Sequence, residues 1–138
     1  MLSELIQIKF HKIMQTRAYT IIILGTDEKK FAIYTEPTIG RILQLHLTST
    51  DKPRPLTHDL LTMVLQGLKV SVKQVVINDI QDTTYFARLF VEQEINGMTH
   101  IVEIDARPSD CIAMALINNA PVYCTSAVLE NSLQATEN

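Results

Sequence analysis

An α+β fold, a mostly antiparallel sheet with helices packed against it, is predicted by three features of this 138-residue chain. Short stretches alternate apolar and polar residues with the two-residue period of half-buried strands. A strand, a hairpin and a proline-opened helix occur twice in the same order. Hydrophobic residues make up 46% of the chain, enough for a full core, yet no run approaches the ~20 apolar residues of a membrane-spanning helix. The length suits one compact domain, read as residues 1–130, with 131–138 as a polar tail.

The elements follow in order. "LIQIKFHKIM" (Leu5 to Met14) alternates as a half-buried strand. "AYTIIILGTDEKKFAIYTE" reads as a hairpin, with Tyr19 to Leu24 apolar and β-branched on both faces and therefore central in the sheet. Gly25 to Lys30 forms the turn and Phe31 to Tyr34 the return strand. "PTIGRILQLHL" becomes helical behind Pro37, although Gly40 weakens that helix by ~1 kcal/mol against alanine. Two prolines make "TSTDKPRP" a loop. "THDLLTMVLQGL" is a helix with Thr57 as cap and Leu60, Leu61, Val64, Leu65 and Leu68 on one face. "VKQVVINDI" is a strand, and "TTYFARLFVEQEINGMTHIVEID" a second hairpin closed at Asn96-Gly97. Pro108 to Asn118 is a helix, "PVYCT" a last strand, and "SAVLENSL" a short helix capped by Ser126, before the frayed tail "QATEN".

The repeated unit suggests an internal duplication. Aligning Pro37 with Pro108 sets Thr38 opposite Ser109 and Ile39 opposite Asp110. The two copies share pattern rather than identity, and the duplication requires their helices to occupy matching positions.

Net charge is −3, with basic residues short and scattered, so binding of nucleic acid calls for a local basic patch or a bound cation. The opening "MLSELIQIKFHK" lacks a basic region and an apolar core ahead of a cleavage site, so no secretory leader is expected. Cys111 and Cys124 sit in apolar surroundings without CxxC spacing, which fits a reducing, cytoplasmic setting and no membrane.

Chemistry concentrates at two junctions. In "EIDARPSD", Glu103, Asp105 and Arg107 fall at i, i+2 and i+4 of a strand, so they share one face while Val102, Ile104 and Ala106 face the core. Asp105 and Arg107 can then meet as an ion pair. Ser109 and Asp110 follow Pro108 at a helix start, where free N–H groups and the macrodipole favour oxygen and negative charge. A helix start accounts for these two as they stand; Asp105 and Arg107 are either a buried structural pair or a site. In "RPLTHDLL", Arg54, Thr57, His58 and Asp59 cluster at a loop-to-helix junction, with His58 a candidate general base. Asp59, Asp105 and Asp110 can ligate Mg²⁺ or Mn²⁺ through oxygen, and Arg54 and Arg107 can bind phosphate, the inventory for phosphodiester hydrolysis if the junctions meet. Cys111 reads as a small buried residue, His11, His46 and His100 as isolated histidines, and Arg88 as either a cross-sheet ion-pair partner or a ligand contact.

In this order and spacing, "RPLTHDLL", "YFARL", "IDARPSDCIAMAL" and "APVY" resemble the bifunctional nuclease domain of bacteria and plants, over roughly residues 5 to 130. The resemblance implies an α+β domain, often dimeric, with DNase and RNase activity in some members. It carries over to Arg54, Pro55, Thr57, His58, Asp59, Asp105, Arg107, Pro108, Ser109 and Asp110. It implies DNA or RNA as partner, with His58, Asp59, Asp105, Arg107 and Asp110 as catalytic candidates. The alternative is a non-catalytic binding or dimerisation module in which the acid–arginine cluster is structural. The first half departs from the family pattern. Glu36 stands for a small glycine, Ile39 for a helix-start glutamate and Cys111 for alanine, so the counterpart of Asp110 is lost and activity is weak or absent if that carboxylate takes part. Glu36 could stand in for it only with a shifted backbone.

Overall fold

The computed structural model describes residues 4–135. It contains β1 (Leu5–Gln15), β2 (Thr20–Gly25), β3 (Lys30–Thr35), α1 (Pro37–Leu47), α2 (Thr57–Gly67), β4 (Val70–Gln81), β5 (Thr84–Ile95), β6 (Met98–Ala106), α3 (Pro108–Asn118), β7 (Val122–Thr125) and α4 (Ser126–Asn131). The strands form a seven-stranded sheet in the order β3-β2-β1-β7-β4-β5-β6. The pairing is antiparallel except where β7 runs parallel to β4. This is the α+β architecture the patterning predicts.

Two three-stranded meanders flank β7, and each runs outward to an edge strand and then into a proline-opened helix. The residues before the two prolines adopt the same extended backbone, Glu36 at φ −65° and ψ 153° and Arg107 at φ −65° and ψ 144°. The helices therefore occupy matching positions in the two halves, as a duplicated unit requires. Phe31 of β3 stacks on Tyr85 of β5 with centroids 5.2 Å apart, so the sheet rolls and brings the start of β5 beneath β3. α3, apolar all round, lies in the concavity with Ser109 and Cys111 to Ala115 buried.

Turn chemistry sets the registers. Asn96 (φ 53°) and Gly97 (φ 77°) close the β5–β6 hairpin in the left-handed conformation of a primed turn. β2 is buried along its whole length, as its two apolar faces demand. The sheet centre is instead the late, four-residue β7, and β2 lies one strand from the edge. Its outer face borders a cavity of about 400 Å³, lined by Ile21, Ile23, Tyr34 and Tyr85 and closed by Leu133 to Ala135. The Ala135 N–H donates to the Lys30 carbonyl at 2.8 Å, so the described part of the tail is tied to β3. The remaining tail residues and the first three residues of the chain, on which the fraying and leader expectations also fall, lie outside the described residues.

Four further expectations change. The cap of α2 is Leu56 rather than Thr57, and its N–H is held by the Asp59 carboxylate at 2.9 Å. The cap of α4 is Thr125 rather than Ser126, accepting from the Val128 N–H at 3.1 Å. The apolar face of α2 is largely open: Leu65 packs on the core, while Leu60, Leu61, Val64 and Leu68 are exposed. Likewise Val102 and Ile104 of β6, expected in the core, are 54% and 39% exposed, because β6 is an edge strand beyond the full cover of the helices.

Candidate functional site

The two proline-opened helices begin side by side, and their starts assemble the cluster. Arg107, the cap of α3, folds its guanidinium back over the first turn. Its Nε donates to Asp110 Oδ2 at 3.0 Å and its Nη2 to Asp110 Oδ1 at 3.3 Å. Its Nη1 donates to Glu36 Oε1 at 3.0 Å, across from the cap of α1. Asp110 Oδ1 also meets His58 Nε2 at 3.0 Å, which fixes α2 to α3. With Asp110 ionised, His58 donates from Nε2, and its Nδ1 is buried without a partner among the described residues. The result is a chain of four groups, Glu36–Arg107–Asp110–His58, drawn from three helix starts.

Burial is deepest at the His58 end and least at Arg107. The His58 side chain is 10% exposed, Asp110 34%, Glu36 43% and Arg107 60%. The guanidinium uses three of its N–H groups on carboxylates and keeps others at the surface. Beside it opens a pocket of about 290 Å³, walled by Tyr34, Glu36, Thr83, Tyr85, Arg107 and Ser109.

The electrostatics follow from this arrangement. Burial opposes ionisation of Asp110, and the hydrogen bonds from Arg107 and His58 outweigh it, holding the carboxyl below its ordinary value. Glu36 is also held low, by its own backbone N–H, by Thr35 Oγ1 at 2.9 Å and by Arg107. Asp59 is held low by Lys52 and the Leu56 N–H. Burial raises the Cys111 thiol to about 12, with Asp110 and Asp105 adding to it, so it is an inert core residue.

The candidates from the sequence therefore divide. His58, Arg107 and Asp110 come together. Asp59 belongs to the α2 cap and the Lys52 ion pair. Arg54 lies exposed in the loop before α2. Asp105 is exposed on β6 in register with Arg88, and the partners of Arg107 are Glu36 and Asp110 rather than Asp105, because Arg107 has left the strand to cap α3. Arg88 pairs with Glu103 across the sheet at 3.8 Å. Glu36, seen in the sequence only as a departure, is a full member of the cluster. It reaches Arg107 without a shifted backbone, since its cap geometry already mirrors that of Arg107. The one signal for it in the sequence is the alignment of the two prolines.

The donor set does not suit a resident divalent cation. Both Asp110 oxygens are taken by Arg107 and His58, Asp59 is engaged elsewhere, and among the described residues no three His, Cys, Asp or Glu side chains converge as metal ligands.

A family model described as the bifunctional nuclease domain matches residues 22–137. The chain belongs to that family. Two uncharacterized proteins of Mycobacterium tuberculosis, one from each of two strains, are 38% identical to it over 120 residues, covering 86% of this chain and 69% of theirs. The match spans α1 to α4, so the cluster at the helix starts lies inside the bifunctional nuclease domain, and its nuclease-like or nucleic-acid-binding character attaches to this chain. No helix among the described residues of the domain is long and apolar enough to cross a membrane.

Stability should follow the carboxylates. Glu36, Asp59 and Asp110 all have folded values below their ordinary ones. Their contribution is complete above the unfolded value near pH 4 and is lost as pH falls through the lower folded values. The urea midpoint should hold from neutral pH to about pH 5 and then fall steeply below about pH 4. A midpoint unchanged on the acid side would show that these contacts add nothing to folding.

Proposed function

We propose that the domain binds nucleic acid and hydrolyses its phosphodiester bonds at the Glu36–Arg107–Asp110–His58 cluster. The observation that carries this reading is Arg107, an exposed guanidinium clamped in a fixed plane by Asp110 and Glu36 at the mouth of a pocket inside a bifunctional nuclease domain. Its free N–H groups suit a non-bridging phosphate oxygen, and they suit better the charge that builds there as a nucleophile adds. Glu36, the exposed carboxylate of the pair, takes a proton from the attacking water as its oxygen bonds to phosphorus. The ester P–O bond opposite breaks, and the leaving oxygen takes a proton from solvent. His58 acts through Asp110 as a positioning residue: its Nε2 is committed and its Nδ1 is buried, so it does not reach the substrate. The Mg²⁺ or Mn²⁺ expected from the sequence finds no support in the donor set, and no step passes through it.

One observation favours the second reading, a binding module without catalysis. With His58 neutral, the cluster carries one positive and two negative charges, so a phosphate meets no net attraction. Incubating the purified protein with single- and double-stranded DNA and RNA, with Mg²⁺, Mn²⁺ or chelator, separates the two. Cleavage lost in Glu36→Gln supports the first. Retention of nucleic acid without cleavage at high protein supports the second.

A further inference from the structure

We infer that the cavity of about 400 Å³ beside the cluster is a nucleobase subsite, so that the domain takes a single strand with one unpaired base in the cavity and the neighbouring phosphate at Arg107, an assignment that rests on the proposed function for the phosphate and adds the base. The cavity follows from how β2 and β3 alternate. Phe31 and Ile33 of β3 turn into the core, so Ala32 and Tyr34 fall on the opposite face. β2 repeats this, with Ile22 and Leu24 in the core and Ile21 and Ile23 on the outer side. The β4–β5 turn at Asp82 and Thr83 and the tail at Leu133 to Ala135 close the space over that face. Its walls are aliphatic and aromatic, with Asp82, Thr83 and Gln134 as polar groups. Small-ligand sites have this make-up and volumes of about 300–1,000 Å³.

Three observations select a base as occupant. The cavity and the Arg107 pocket share Tyr34, Thr83 and Tyr85 as walls, so a group held in one adjoins a group held in the other. A nucleotide has this form: a flat, uncharged ring carried beside an anion. Second, Tyr34 is left 63% exposed, yet its ring is braced edge-on by Tyr19, with centroids 5.3 Å apart and an interplanar angle of 76°. Unpaired bases stack on aromatic faces of this kind. Tyr34 stands on β3 just ahead of Glu36, and Tyr85 is held in place by its stack on Phe31. Third, the cluster carries one positive and two negative charges, so phosphate contacts alone gain little. A neutral base in an apolar cavity supplies the binding that the phosphate does not. A duplex hides its ring faces in the stack and its base edges in pairs, so the cavity admits a single strand and excludes an undistorted duplex.

The test reads binding apart from cleavage. Fluorescence anisotropy follows three probes at physiological salt: a short labelled single strand of mixed sequence, the same strand in a duplex, and the same strand made abasic. Gels follow cleavage of each. The wild type should bind the single strand on the order of tenfold or more tighter than the duplex or the abasic strand. Tyr34→Ala, at an exposed position, should melt close to the wild type and lose that margin, while Tyr34→Phe, which keeps the ring, should retain it. Ala32→Phe fills the cavity at a wall that the Arg107 pocket does not share, and should lose the margin too. It answers the question if Tyr34→Ala does not fold. A wild type that shows the margin and cuts nothing overturns hydrolysis and supports the subsite. Equal binding of the single and abasic strands, as expected if the cavity serves an apolar ligand unrelated to nucleic acid, overturns the subsite whatever the cleavage rate. So do folded Tyr34→Ala and Ala32→Phe variants that keep the full margin. A wild type that binds none of the three probes overturns both readings.

Discussion

Gly40→Ala should lower stability by about 2 kcal/mol and the melting temperature by several degrees, although alanine is the better helix former. A methyl group at this position would fall on the side-chain oxygens of Gln15 and Thr20, where α1 crosses β1 and β2. Gln15 can swing away. Thr20 cannot: it is fully buried, and its hydroxyl donates to Gln15 Oε1 at 3.0 Å and lies 3.4 Å from the Pro37 carbonyl oxygen. Alanine gains ~1 kcal/mol of helix propensity. Against it stand ~1–3 kcal/mol of overpacking and the loss of the part-buried Thr20–Gln15 hydrogen bond, ~1 kcal/mol. The balance is destabilising. It also bears on the cluster, because α1 carries Glu36 at its cap and any retreat of the helix moves that carboxylate away from Arg107. Thermal melts decide the sign; a variant more stable than the wild type would mean that α1 packs less closely than the structure indicates.

Asp110→Ala should have the second large effect and should act on stability and activity together. It leaves the His58 Nε2–H buried without an acceptor and removes two of the three hydrogen bonds that orient Arg107. Leaving the buried donor unpaired costs roughly 1–3 kcal/mol. The Arg107 share adds little to that, because the guanidinium is 60% exposed and ion pairs in water are weak. Asp110→Asn keeps the shape and one acceptor oxygen, so it should recover much of the stability while restoring less of the activity, which depends on a clamped guanidinium. Paired urea melts and cleavage rates separate the two effects. Equal loss of stability in both variants would mean that the charge of Asp110, rather than its hydrogen bonds, holds the three helix starts together.

Much of the fold could be read from local chemistry. Asn96-Gly97 fixed a hairpin, Pro37 and Pro108 opened two helices, and the double apolar face of Tyr19 to Leu24 marked a buried strand, observed at Thr20–Gly25, because each signal acts within a few residues. What failed was long-range. Periodicity identified apolar faces on α2 and β6 but not what would cover them: Val102 and Ile104 were expected in the core and lie exposed, and Leu60, Leu61, Val64 and Leu68 of the α2 face are exposed as well. The same limit applied to the site. Asp110 and His58 were legible as chemistry at two helix starts, but their meeting depends on how α2 packs on α3. Glu36 reaches Arg107 across 71 residues, a contact that only the rolled sheet creates. Asp59 went the other way, since the local reading of a carboxylate in the first turn of a helix was already sufficient.

The cluster at the helix starts is claimed to act on phosphodiesters through Arg107. The most direct test is the cleavage rate of Arg107→Ala on a substrate the wild type cuts, measured beside its melting temperature. Because the side chain is mostly exposed, the variant should melt within a few degrees of the wild type, while cleavage falls on the order of 10²-fold or more. A folded Arg107→Ala protein that cleaves at the wild-type rate would contradict the account.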